Sequence, residues 1–246
     1  MPQFIKSILK KIIPPFAVEV SINECVHYGG FRYGGNDYNP YQTYTLELHD
    51  GIEKDKRQEK FIDFIKYYRP KNLGQALGIT LENYVPLWIY PWIKYNKSVF
   101  MEKDRCWLDD PNDCPDIMTH FSAKGVLNFR LEEEFVWLER AYYLIKKNGY
   151  EPQKNNNYIE LVRLIKTDNQ VRYLVIDGNH RLSALGALNV KKARATFRSN
   201  VYEKNYLNWY CVRNNLISPK DALKIFNSYF ERAKGHRTTD SAAKII

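Results

Sequence analysis

Long hydrophobic runs are missing: no apolar stretch approaches the roughly 20 residues that a membrane-spanning helix needs, which argues against an integral helical membrane protein. Cysteine is scarce. Cys25, Cys106, Cys114 and Cys211 are scattered without the spacing of a disulfide framework. No charged start followed by an apolar core and a small-residue cleavage site marks a secretory leader, so reduced thiols and a cytoplasmic location are expected. Dense basic runs of the kind that form nucleic-acid arms are absent, and no repeat beyond a local pair of glycine doublets is visible.

What is present is 246 residues, 44% of them hydrophobic, enough for a sizeable core in one domain or one domain with a large extension. The net charge of +9 suits an anionic partner, whether nucleic acid, nucleotide, phosphorylated sugar or anionic membrane surface, and equally a merely basic soluble surface. Near the start, "FIKSILKKII" sets Phe4, Ile5, Ile8, Leu9, Ile12 and Ile13 against Lys6, Lys10 and Lys11. Such a helix, spanning residues 4–13, makes peripheral contact with the inner face of a membrane or docks on the protein's own core; the pattern fits both.

Beyond Pro14 and Pro15, "FAVEVSI" reads as a short strand, and Gly29-Gly30 and Gly34-Gly35 read as turns or as points of close backbone approach to a ligand. "RQEKFIDFIKYYRP" predicts an amphipathic helix with Phe61, Phe64, Ile65 and Tyr68 on one side, ending before Pro70. In "YVPLWIYPWIKY", Pro86 and Pro91 forbid a long helix, and Trp88 and Trp92 fill a core or stack on a ligand. Cys106, Cys114 and His120 lie among aspartates but lack structural-zinc spacing, and a surface loop accounts for them. A helix over about 131–147 carries Leu131, Phe135, Leu138, Tyr142 and Ile145 on one stripe. Glu132, Glu133, Glu134 and Glu139 lie nearer its start, where acids suit the helix dipole or one of them faces a site, and Gly149 closes it.

The pattern then changes to strands. "YIELVRLIK", with Ile159, Leu161 and Leu164 alternating, and "VRYLVID" form a hairpin across "TDNQ", and "ARATFR" is a further strand. "ISPKDALKIFNSYF" is a helix with Ser218 as N-cap, Pro219 at its first position and Ala222, Ile225, Phe226 and Tyr229 buried.

Chemistry concentrates in "VIDGNHRLSALGAL". Asp177 ends a strand and can cap the next helix, Gly178 lets the chain turn, and the free amides of the first turn sit beside His180 and Arg181. That is an anion site built from local sequence. The competing reading, an Asp-Gly hairpin turn, lacks a following alternation, since Leu182, Leu185 and Leu188 recur at helical intervals.

The run "DGNHRLSALGALNVKKARATF", with the two strands before it, resembles the ParB/sulfiredoxin-like superfamily, in which a strand, a DG-x-H-R turn, a small-residue helix and a strand make a nucleotide-phosphate site. The match covers about residues 150–200. Asn179 stands where sulfiredoxins need cysteine, and the tail beyond residue 200 is short for the DNA-binding module of ParB proteins. Asp177, Gly178, His180 and Arg181 match the pattern of the superfamily's free-serine kinases. The whole chain also looks like uncharacterised bacterial members associated with surface-polysaccharide genes.

The resemblance implies an α+β fold: a ParB/sulfiredoxin-like core with a small mixed sheet over residues 121–200, a helical N-terminal extension over 1–120, and a C-terminal helical segment over 201–246; by position and composition alone, the glycine stretch and the Trp88/Trp92 section make that extension a candidate acceptor-binding part. It implies a nucleoside triphosphate as co-substrate, held by Gly178, Asn179, His180 and Arg181, with magnesium at Asp177. The expected activity is phosphoryl transfer to a small hydroxylated acceptor such as a sugar or a surface-polysaccharide precursor, with Asp177 and Glu160 as catalytic residues, the latter orienting the acceptor. Arg163 and Arg172 are further candidates for the cradle. The alternative is a ParB-like nucleic-acid-binding or nucleotide-switch protein without fast chemistry.

Overall fold

Strands and helices follow one another as the hydrophobic periods require, and the hairpin expected around "TDNQ" forms the middle of the sheet. The computed structural model describes residues 16–34, 39–68, 70, 72–87, 89–94, 126–155 and 157–231. The expected helix over 4–13, Gly35, Trp88, and the stretch holding Cys106, Cys114 and His120 lie outside the described residues. In chain order the elements are β1 (Val18–Ser21), β2 (Cys25–Val26), α1 (Pro40–His49), α2 (Lys54–Tyr67), α3 (Leu73–Leu77), α4 (Val126–Asn148), β3 (Ile159–Ile165), β4 (Val171–Asp177), α5 (Asn179–Ala187), β5 (Lys192–Tyr202), α6 (Tyr210–Arg213) and α7 (Pro219–Ser228). The fold is α+β.

The five strands form one mixed sheet in the order β1-β5-β3-β4-β2. β3 and β4 are antiparallel neighbours, β5 runs parallel to β3, β1 antiparallel to β5, and β2 parallel to β4. The turn between β3 and β4 is closed by Lys166 N–H donating to the Gln170 carbonyl (2.9 Å), with Asn169 at φ +66°. Residues 16–34, part of the expected extension, supply both outer strands.

Both faces of the sheet are covered, and this corrects the simple alternation expected of β3. Ile159 and Leu161 belong to a core with Val175, Leu182 and Leu185, whereas Val162 and Leu164 belong to a second core with Leu174, Ile225, Phe226 and Tyr229. A strand buried on both sides reads as a nearly continuous apolar run, so Leu164 faces away from Ile159 and Leu161. β5 extends over 11 residues, well beyond the expected "ARATFR".

Over the first core lies a helical layer. α1 starts at Asn39, whose side chain accepts from the Tyr41 and Gln42 amides (3.1 and 3.3 Å), with Pro40 at the first position. It packs against α5 so closely that a Cβ on Gly186 would stand 3.1 Å from the Gln42 side chain. The Thr45 hydroxyl reaches the Ser183 carbonyl across the contact (3.0 Å). α4 and α2 close the layer through Tyr44, Phe61 and Phe135, and Arg57, buried, pairs with Glu139 (3.1 Å). α4 begins at Val126, earlier than expected, so the run Glu132 to Glu134 is not in its first turn. The dipole explanation of these acids therefore lapses, because that effect fades beyond the first turn. Gly149 closes the helix at φ +76°, its N–H donating to the Ile145 carbonyl (2.8 Å).

The second core holds the aromatic section. Trp92 packs edge-on against Trp209 and Phe226, at 5.4 and 6.0 Å between ring centroids, and is a core residue. Ser218 caps α7 by accepting from the Asp221 amide, with Pro219 at the first position, and Ala222, Ile225, Phe226 and Tyr229 are buried, all as the sequence predicts. Arg32 donates to the Phe230 and Glu231 carbonyls (2.9 and 2.8 Å), where a cation suits the end of a helix. The glycine stretch is a structural turn here: Gly30 and Gly34 take φ +85° and +71°, and the Gly34 amide donates to Gln42 Oε1 (2.7 Å). Cys25 and Cys211 are free and buried, and burial pushes both thiols up, Cys211 to about 12. No helix among the described residues is long and apolar enough to cross a membrane.

Asp221 is fully buried, and its carboxylate accepts from the Glu82 and Asn83 amides (3.0 to 3.2 Å), tying the 82–83 turn to α7. Asp221→Ala removes the buried acceptor of both amides and should lower the unfolding free energy by about 2 kcal/mol in chemical denaturation.

Candidate functional site

At the carboxyl end of β4 the chain turns into α5 in one residue. Gly178 is that residue, at φ +100° and ψ +23°, a left-handed conformation that side chains disfavour. A Cβ there would also sit 3.0 Å from Ile159 Cγ1 and 3.2 Å from Arg181 Nη2. The strand-to-helix reading of Asp177-Gly178 is thus observed. Asp177 does not cap α5, however: Gly178 holds the cap position, and the helix has no side-chain cap. Still part of β4, Asp177 sends its carboxylate one turn forward to Arg181 Nη2 (2.7 Å).

Arg181 is the junction of three segments. Its Nη1 donates to the Asn157 carbonyl and Oδ1 (both 2.5 Å) and to the Tyr158 carbonyl (3.0 Å), while Nη2 holds Asp177. The side chain is 15% exposed. Its guanidinium is therefore engaged in binding the entry of β3 to the start of α5. The Asn179 side chain is fixed by the Tyr33 hydroxyl, which donates to Oδ1 (2.7 Å). Burial raises the Tyr33 pKa well above the ordinary tyrosine value, so the hydroxyl stays a donor.

His180 faces α4. Its Nε2 lies 2.5 Å from Oε1 of Glu134, whose side chain is 6% exposed. A carboxylate so buried needs a partner, and among the described residues the imidazole serves as one. In a neutral ring with Nε2–H donating, Nδ1 is the acceptor nitrogen. Tyr41 packs edge-on against the same ring at 6.1 Å between centroids.

A cleft of about 1100 Å³ opens over this junction. One wall is the face of α4 bearing Glu134, Trp137, Arg140 and Leu144; another includes Tyr150, Lys154 and Asn157; its floor includes Ile176, Asp177, Gly178, Asn179, His180 and Arg181. The amides of Asn179, His180 and Arg181 are first-turn donors without helical acceptors. Leu182 N–H makes the first bond of the helix, to the Gly178 carbonyl (2.9 Å). Tyr150 lines the cleft too: its hydroxyl accepts from the Ile159 amide and donates to the Arg194 carbonyl (both 3.1 Å), and burial raises its pKa.

The motif Asp177 to Arg181 is thus brought together at one cleft, and the other sequence candidates lie apart from it. Glu160 pairs across the sheet with Asp177, but its carboxylate meets Arg198 (3.1 Å), and it does not line the cleft. Arg163 lies over Phe197, and Arg172 over Phe230, at 5.9 Å to each ring centroid. Neither lines the cleft, nor do Trp92 and the described glycines of the turn. The buried carboxylate at the cleft is Glu134. Its signal was an acid on the apolar stripe, between Leu131 and Leu138 and beside Phe135. Trp137, Arg140 and Tyr33 had no local signal, because distant segments bring them to the site.

No family model, no curated protein and no solved structure matches the chain.

Gly178→Ala should destabilise the protein by about 1–2 kcal/mol, read by denaturant unfolding, since the left-handed backbone disfavours any Cβ. Gly51, at φ +75° with open space around it, is the control: Gly51→Ala meets only the backbone cost, and the excess at Gly178 reports the contacts with Ile159 and Arg181.

Proposed function

We propose that the protein is a nucleoside-triphosphate-dependent phosphotransferase of ParB/sulfiredoxin-like type, acting on a small hydroxylated acceptor such as a sugar or a surface-polysaccharide precursor. The observation that carries this reading is the buried Glu134 carboxylate against His180 on the first turn of α5, inside a cleft whose floor also offers free helix amides. Such amides with the dipole behind them favour phosphate oxygens. A histidine oriented by a buried carboxylate is the usual form of a base that removes a hydroxyl proton.

In the proposed reaction the acceptor hydroxyl gives its proton to His180 Nδ1 while its oxygen bonds to the terminal phosphorus. The bond from that phosphorus to the bridging oxygen breaks, and the nucleoside diphosphate leaves with the electron pair. Glu134 holds the imidazole and stabilises its cationic form. Gly178 and the amides of Asn179, His180 and Arg181 receive the phosphates, and Arg181, engaged with Asn157, Tyr158 and Asp177, keeps the turn in place.

The residues fit magnesium as an ion carried in with the phosphates. The Asp177 side chain is 68% exposed and uses only Oδ2, for Arg181, leaving Oδ1 to approach an ion. Among the described residues no group of three or more ligands assembles, which suits the habit of magnesium to take one or two carboxylates plus phosphate oxygens and water. Bound there, the ion would neutralise phosphate charge.

A panel of nucleotides with magnesium, scanned by thermal unfolding, tests the binding half: a ligand at 100 times its dissociation constant stabilises by about 2.7 kcal/mol. If no nucleotide raises the midpoint, the reading is abandoned. With the stabilising nucleotide, an acceptor screen follows. His180→Ala and Glu134→Gln should each lower kcat by about 10²–10⁴ while keeping the nucleotide-induced shift; unchanged kcat in both would remove the pair from the chemistry.

A further inference from the structure

One face of α4 continues the cleft away from His180, and its chemistry changes along the way. Glu134 stands at the polar end, followed by Trp137, Ala141 and Leu144 at helical spacing, all lining the cleft. From Glu134 to Leu144 the helix advances about 15 Å at 1.5 Å per residue. Trp137 is 51% exposed and Leu144 49%, so a large indole and an aliphatic side chain face open space beside a polar site. The other tryptophan at the edge of the described core, Trp92, is by contrast held by Trp209, Phe226 and Tyr229. Apolar surface left open next to a charged site calls for a ligand that is ionic at one end and flat and apolar at the other.

Charge supports the same occupant. The Arg140 guanidinium lies over the Trp137 ring, 5.5 Å from its centroid, and makes no ion pair among the described residues. Lys154, across the cleft, is paired with Glu151. A cation beside an exposed indole favours an electron-rich ring system carrying negative charge.

We infer that Trp137 is the stacking platform for the heteroaromatic base of a purine nucleoside triphosphate, with Arg140 beside it and the phosphates directed toward the first turn of α5. This rests on the phosphate site proposed above and adds the identity of the ligand's other end. Stacking is tolerant of base identity and grows with ring overlap, so adenine and guanine nucleotides bind alike and pyrimidine nucleotides bind less well.

Titration calorimetry with magnesium separates the two ends, using inorganic tripolyphosphate, ATP, GTP and UTP on the native protein, Trp137→Ala and Trp137→Phe. In the native protein ATP and GTP should bind at least about fivefold more tightly than tripolyphosphate, with UTP between. Trp137→Ala should erase that advantage, a loss of roughly five- to hundredfold from the worth of one base stack, and Trp137→Phe should keep most of it. Tripolyphosphate should bind all three proteins equally. Trp137 is half exposed, so unchanged melting midpoints without ligand are expected. The inference is overturned if ATP binds the native protein no better than tripolyphosphate, or if its advantage survives Trp137→Ala. Tripolyphosphate binding without an ATP advantage sinks the stacking platform and leaves the phosphate site standing. An ATP affinity that depends on Trp137, without tripolyphosphate binding, supports the platform and removes the phosphate site. If nothing binds, both fall.

Discussion

The Arg181 guanidinium joins the carboxyl end of β4, the first turn of α5 and the backbone that enters β3, and the candidate site depends on that junction. Because the side chain is 15% exposed, its charge needs several acceptors, and it finds them in Asp177, Asn157 and the Tyr158 carbonyl. Removing one partner of a buried charged network leaves the others uncompensated, so such a junction holds its geometry firmly. The left-handed turn at Gly178 brings Arg181 back over the strand it has just left, and no residue with a Cβ would leave that space clear.

What this junction fixes locally, the helical layer completes. α1 presses on α5 through Gln42 against Gly186 and through Thr45 against Ser183, which sets the height of α5 above the sheet. α4 then delivers Glu134 to His180 from about 46 residues earlier in the chain. Burial of that carboxylate is costly unless the imidazole meets it, so the contact constrains both helices. The same α4 face supplies Glu134 to the polar end of the cleft and Trp137 and Leu144 to the apolar wall. One helix therefore lines the cleft from its polar end to its apolar wall.

Arg181 shows how a motif residue can serve a site indirectly. Local sequence places it among first-turn donors, where it reads as a phosphate ligand. In the folded chain its Nη1 and Nη2 are engaged by carbonyls and a carboxylate, the first-turn donors beside it are backbone amides, and His180 is turned toward Glu134. Arg163 and Arg172 show the same effect on the sheet, where cationic side chains lie over Phe197 and Phe230 rather than reaching the cleft.

Sequence alone determined what rests on short-range rules. The β3–β4 hairpin, the Gly178 turn into α5, the Ser218-Pro219 start of α7 and the apolar stripe of α4 all follow from period, capping and backbone preference within a few residues. Only tertiary structure decided what depends on which distant segments meet. Leu164 and Leu161 serve opposite cores because the sheet is covered twice, by α5 on one side and α7 on the other. Glu160 meets Arg198 because β5 lies alongside β3, and Glu134 becomes the carboxylate of the site because α4 crosses α5 at His180. A side chain's chemical type is local, but its partner is chosen by packing, and the partner decides whether a charge binds a ligand, assists a proton transfer or holds the fold together.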